Sequence, residues 1–167
     1  ALGTCKALDD VVALKQSLAA AKKAGMKVLE SEKLDEQIDQ KEIELIEELV
    51  ERETSEVLDL CGLGPLAAAW KGWQDVQAEG TLMSAYPGLS PDDVEAGMKE
   101  FYSSLYSPPL PSLEANIKDP VVRKSARSKI AAKVCETYSE LYNSMMSTGK
   151  GGYDDVSFLG HKPEQVN

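Results

Sequence analysis

The sequence predicts an all-α fold, an antiparallel bundle or stack of four to five helices, and three observations carry that reading. Between Asp119 and Tyr153 an apolar stripe recurs at the helical period: Val122, Ala126, Ile130, Val134, Tyr138, Leu141 and Met145 follow at steps of three or four. Helix boundaries are punctuated at Gly62-Leu63-Gly64-Pro65, Ser90-Pro91 and Asp119-Pro120. No alternation of apolar and polar residues runs for the length of a strand. The stripe needs a partner along roughly seven turns, or about 40 Å. The other helices are read as its cover, with Leu45, Leu49, Trp70 and Phe101 expected around Ile130, Val134, Tyr138 and Leu141.

In chain order, residues 6–24 are rich in alanine, leucine and lysine, which favour helix, and carry a stripe of Leu8, Val11 or Val12, Leu14 or Lys15, and Leu18. Gly25 is a stop. Residues 27–60 make the second helix, with Leu34, Ile38, Leu45, Leu49, Val57 and Leu60 on its apolar side and Ile46 and Val50 widening it. The heptad step is not kept long enough for a coiled coil, so this reads as a long exposed helix against one neighbour. Gly62 is expected to end it in the left-handed conformation, and Pro65 to take the first position of the third helix.

That third helix shows a face of Leu66, Trp70, Trp73 and Val76 or Gln77, and a tryptophan pair three apart is a packing anchor. Residues 80–89 read as a loop turning at Pro87-Gly88. Ser90 as cap, Pro91 in the first turn, and Asp92 and Asp93 at the positive end of the dipole open the fourth helix. Val94, Met98, Phe101, Tyr102 and Leu105 form its face. Pro108, Pro109 and Pro111 stop it and force an extended connection. Asp119 and Pro120 then start the long helix, Gly149, Gly151 and Gly152 end it, and Pro163 can open a last one.

The chain has 167 residues, 43% apolar and 28% charged, enough for one domain or part of a larger one with the composition of a soluble protein. No apolar run approaches the roughly 20 residues needed to cross a bilayer, and the first 25 residues lack a hydrophobic signal core. Ala1 in first place reads as a fragment or a processed chain. Cys5, Cys61 and Cys135 are odd in number and far apart, which points to reduced, mostly buried thiols.

The net charge of −10 is unevenly spread. Twelve acids stand against three bases between Glu30 and Glu56, and six bases against Asp119 between Lys118 and Lys133. An acidic total excludes nucleic acid as the main partner, because phosphate contacts need clustered Lys and Arg. Glu44, Glu47, Glu48 and Glu51 of the acidic stretch, with Arg123, Lys124 and Arg127 of the basic one, are the candidate partner-binding residues. The two stretches either face each other inside the domain or face different partners, an acidic membrane surface among them for the basic one. A solvated helix face has the same look. Charge of this kind steers and selects partners more than it stabilises a fold.

Chemistry has no residues to stand on, and no metal, cofactor or catalytic group is expected. His161 has no second histidine or cysteine at metal spacing. No G-x-S-x-G frames a nucleophile. Thr148-Gly149-Lys150-Gly151-Gly152 lacks the earlier glycine, the strand before and the helix after that a phosphate loop needs. The acids of 30–56 do not follow calcium-loop spacing.

From Leu34 onward the chain resembles the C-terminal region of the sixth subunit of the conserved oligomeric Golgi complex. The residues that carry the resemblance are LDEQIDQ, EVLDLCGL, DDVEAGMKEFYSSLYSPP, IAAKVCETYSELYNSM, GGYDD and HKPEQV, in order over about 130 residues. Ala131, Cys135, Tyr138 and Tyr142 stand at the family's tyrosine-rich helical face. Lys150 and Gly151 depart from it where an asparagine is usual, and Asp155 is not followed by proline.

The resemblance divides the chain into a poorly matched N-terminal helix, 1–33, and a C-terminal helical domain, 34–167. It implies the end of an elongated helical rod that is a non-catalytic, peripheral tethering subunit on the cytosolic face of the Golgi, acting in retrograde vesicle transport. The implied partners are sister subunits, fusion proteins and small GTPases. The alternative is a small all-helical accessory subunit of another large, organellar assembly, and the residues upstream of Ala1 would separate the two.

Overall fold

The computed structural model describes residues 8–25, 31–106, 113, 116–147 and 151–166. Among them are six α-helices and no strand: α1 Leu8–Lys23, α2 Ser31–Leu60, α3 Leu63–Val76, α4 Pro91–Ser104, α5 Pro120–Met146 and the single-turn α6 Pro163–Val166. The expected start of the second helix at residue 27, the proline run 108–111, and Gly149 lie outside the described residues. Contacts group the chain into two compact units, Ala1–Arg52 with Ser112–Arg127 and Glu53–Pro111 with Ser128–Asn167. α2 and α5 contribute to both.

In the first unit the stripes of α1 and α2 meet. Val11, Leu18 and Ile38 are buried together, with half-buried Leu14, Leu34 and Leu45 packed against them. Leu45 therefore belongs to the α1 cluster. Lys15 pairs with Asp39 at 2.7 Å and Glu42 at 2.8 Å, and Lys22 pairs with Asp35. As numbers rise along α1 they fall along α2, so the two helices are antiparallel. Asp9 accepts from Lys118 at 3.0 Å, which ties the start of α1 to the entry of α5. There Asp119 Oδ1 accepts the N–H groups of Val121 at 2.7 Å and Val122 at 3.3 Å, the capping its position predicts.

In the second unit Gly62 ends α2 with φ of 80°. α3 begins at once, at Leu63 rather than Pro65, because the left-handed glycine turns the chain without further loop. Pro65 falls in the first turn, where its missing N–H had no helical acceptor to lose. A β-carbon on Gly62 would lie 2.8 Å from Glu100 Cβ and 3.0 Å from the Gly97 carbonyl, and one on Gly97 would lie 2.6 Å from Leu66 Cδ1. α3 and α4 thus run antiparallel at glycine-allowed distance.

Around them Leu66, Trp73, Met98, Phe101, Tyr138 and Leu141 are buried in one cluster, and Val134 packs half-buried against it. Trp70 donates its indole N–H to Ser144 Oγ at 3.0 Å and Trp73 to the Thr81 carbonyl at 2.8 Å, so both anchors satisfy their polar edge. The 80–89 loop is part of the core: Met83, in the 3-10 turn Met83–Ala85, and Leu89 are fully buried. Ser90 caps α4, accepting the Asp93 N–H at 3.3 Å.

Candidate functional site

The seven candidate docking residues fall in the first unit's segments. Glu44, Glu47, Glu48 and Glu51 are all exposed on α2. At the helical period of 100° they share the side opposite Ile38 and Leu49, which are buried. Glu44 accepts from Lys41 at 3.3 Å and from Gln40 at 3.4 Å. Lys124 is exposed on α5, whereas Arg123 and Arg127 are half-buried. Arg123 donates to the Ile117 carbonyl at 3.5 Å, and neither Arg127 nor Glu51 is free.

The counter-charges that the sequence left open are supplied in part by α1. Its Lys15 and Lys22 neutralise Asp35, Asp39 and Glu42 of the acidic stretch, and its Asp9 meets Lys118 of the basic one. The two carboxylates beside Lys15 hold its ammonium well above the usual lysine range. The Glu44–Glu51 side of α2 is turned outward, as are Glu32, Glu36 and Glu56.

In the second unit Phe101 meets Tyr138 as expected, within an aromatic group whose hydroxyl links periodicity did not reveal. Phe101 stacks on Tyr138 with centroids 4.9 Å apart and planes at 25°. The Tyr138 and Tyr102 hydroxyls lie 2.9 Å apart, and Tyr138 donates to the His161 carbonyl. The His161 ring stands edge-on to Tyr102 at 4.9 Å. Tyr153 donates to the Leu89 carbonyl at 2.7 Å. Gly151 and Gly152 lie against the 83–85 turn: their carbonyls accept from Ser84 N–H at 2.9 Å and Ser84 Oγ at 2.7 Å. With φ of 70° and Ser84 Oγ 2.7 Å from a notional β-carbon, residue 152 must be glycine. Tyr138, Tyr153, Gly152 and His161 therefore seat the C-terminal segment.

An open cleft of about 530 Å³ beside it is lined by Glu95, Asp154, Asp155, Ser157 and Phe158 among others. The Ser157 N–H and hydroxyl hold Asp155 below the usual carboxylate range. Among the described residues no three His, Cys, Asp or Glu side chains are grouped to hold a metal ion. Cys61 is buried, Cys135 half-buried, and both are free thiols pushed up by burial.

The seated tyrosines make stability depend on pH. Burial, with a smaller contribution from Asp93, pushes the Tyr153 phenol up to about 12, and burial followed by the Tyr102 hydroxyl moves Tyr138 in the same direction. An unfolded tyrosine ionises near 10. A raised phenol stabilises the fold fully below that value, and the contribution is lost as pH climbs toward the folded value. The raised Lys15 acts with the same sign. Melting temperature is therefore expected to hold from neutrality to about pH 10 and to fall between about 10 and 12, in step with tyrosinate absorbance. A decline already complete by pH 9 would assign the loss to other groups.

No helix among the described residues is long and apolar enough to cross a membrane. No curated protein and no solved structure matches the chain. The family described as Conserved Oligomeric Golgi complex subunit 6, C-terminal, matches residues 11–167, so it takes in α1 from Val11 onward as well as every later helix. That match spans most of the length: the chain belongs to the C-terminal family of subunit 6 of the conserved oligomeric Golgi complex, a tethering complex.

Proposed function

We propose that the chain works as a non-catalytic docking module at the end of a helical rod, contacting sister subunits on the cytosolic face of the Golgi in retrograde vesicle transport. Fusion proteins and small GTPases are its further partners in this reading. The family match over residues 11–167 carries it. The domain division expected from the sequence, 34–167 as the docking domain behind an N-terminal helix 1–33, is retained in the proposal, with α1 as the element that neutralises the inner charges of α2. The outward acids Glu44, Glu47, Glu48 and Glu51 and the basic Arg123, Lys124 and Arg127 are the proposed contact residues. Polar faces of this kind select partners and set association rates, and they weaken as salt screens them.

Charge reversal tests the reading. Because Arg123 and Arg127 are half-buried, reversing all three bases is expected to disturb packing as well as charge. Lys124→Glu and the pair Glu47→Lys with Glu48→Lys change exposed positions only. Each is expected to leave the melting curve within about 0.5 kcal/mol of wild type and to weaken binding to a sister subunit by roughly tenfold at low salt. The measurement is a titration against purified sister subunits over a salt series, beside thermal melts. Unchanged affinity in both variants would remove these faces from the docking surface.

A further inference from the structure

Residues 153–166 carry a set of local hydrogen bonds of their own. Asp155 accepts from Ser157 N–H at 2.8 Å and Ser157 Oγ at 3.0 Å, and the Leu159 N–H donates to the Val156 carbonyl at 3.0 Å. The Lys162 N–H donates to Gln165 Oε1 at 2.8 Å, while the Gln165 N–H returns to the Lys162 carbonyl at 2.9 Å. These are local turns and a cap, which survive without the rest of the protein more readily than long-range contacts.

Residues 151–166 are also tied to the rest of the chain, by backbone bonds at Gly151 from Ser84 N–H at 2.9 Å and to the Ser147 carbonyl at 3.1 Å, and by Cys135 Sγ to the Val166 carbonyl at 3.9 Å. Side-chain hydroxyls reach the segment's backbone: Tyr138 to the His161 carbonyl, Tyr102 as acceptor of the His161 N–H at 3.5 Å, and Ser84 to the Gly152 carbonyl. Tyr153 donates in the other direction, to Leu89. Leu159 is buried, but Tyr153, Val156, Phe158 and Val166 are only half-buried, and α6 is four residues long. By contrast Tyr138 and Leu141, on α5 beneath, have no exposed surface.

We propose that residues 151–166 form a strap that leaves the aromatic face of α4 and α5 as a preformed unit while the helices stay folded, with the Tyr102–Tyr138 hydroxyl pair as its latch. Beyond the backbone bonds at Gly151, the links given up on opening are isolated side-chain-to-backbone bonds, and the freed backbone groups pass to water. Opening also strips backbone partners from two hydroxyls beside Phe101, so the strap is the resident ligand of that face. Regions with half-buried side chains, and without a continuous backbone ladder to the core, are the ones that open below the global unfolding limit.

Hydrogen exchange on the full chain, followed by mass spectrometry over a denaturant series, tests this. Peptides covering 153–166 are expected to exchange at least about tenfold faster than peptides covering 134–145, with little dependence on denaturant. Tyr102→Phe and Tyr138→Phe are each expected to speed the strap about fivefold, the effect of losing one neutral hydrogen bond, and to leave 134–145 unchanged. Should Tyr138→Phe fail to fold, the wild-type series and Tyr102→Phe decide. Exchange of both regions through one common opening, or equal acceleration of both by Tyr102→Phe, would overturn the proposal.

Discussion

Phe101→Ala is expected to destabilise the protein by about 3–5 kcal/mol, the range for emptying a buried phenylalanine site. The side chain is 2% exposed, stacked at 4.9 Å on Tyr138 and tilted against Tyr102 at 5.8 Å. Its removal takes away transfer free energy, leaves a cavity beneath Tyr138, and ends an aromatic pair worth about 0.5–1.5 kcal/mol by itself. Against a usual total of about 5–15 kcal/mol this is a large fraction. For a chain of this size the thermal midpoint should drop by roughly 6–20 °C. Leu105→Ala, one turn on and 40% exposed, is the control and should shift it far less. Equal shifts in the two variants would show that α4 presents another face to the core.

Ile130→Ala is the second large effect, about 2–5 kcal/mol. Ile130 is 3% exposed on α5, one turn from Ala126 at 1%, and both lie on the stripe that continues to Tyr138 and Leu141. The neighbouring Lys129, about 100° around the helix, is exposed, so Lys129→Ala should stay within about 0.5 kcal/mol. The pair of variants reads out the phase of a 27-residue helix. Similar losses at both positions, or none at Ile130, would mean that the stripe is out of phase with the core.

Much of the local structure was legible. Ser90 and Asp119 accept the backbone N–H groups their positions predict, and Gly25 and Gly62 stop helices with positive φ. On α5, Ala126, Ile130, Tyr138, Leu141 and Met145 are buried as the spacing requires. Each of these depends on residues within four or five positions, where period and capping chemistry act directly. The start of α3 at Leu63 differs by two residues because glycine and proline near one another allow either reading, and the packing of Gly62 on Gly97 and Glu100 selects one.

What only the tertiary structure decided is which distant residues meet. The sequence alone determined an all-helical chain, the caps of α4 and α5, the glycine stops of α1 and α2, and the buried side of α5. It did not assign the tyrosines of the quoted motifs: Tyr138 and Tyr153 look like stripe or loop residues until their hydroxyls are seen on the backbone of His161 and Leu89, 23 and 64 positions away. Nor did it show that Lys15 and Lys22 of α1 take up inner acids of α2, since a charge count is blind to direction. Helical period and capping are written into neighbours and can be read in a line. Pairing across tens of residues depends on how closely the segments approach, and here Gly62 and Gly97 set the approach of α3 and α4 and Gly152 that of the C-terminal segment to Ser84. As helix stops the sequence could read Gly62 and Gly152, but not as close contacts.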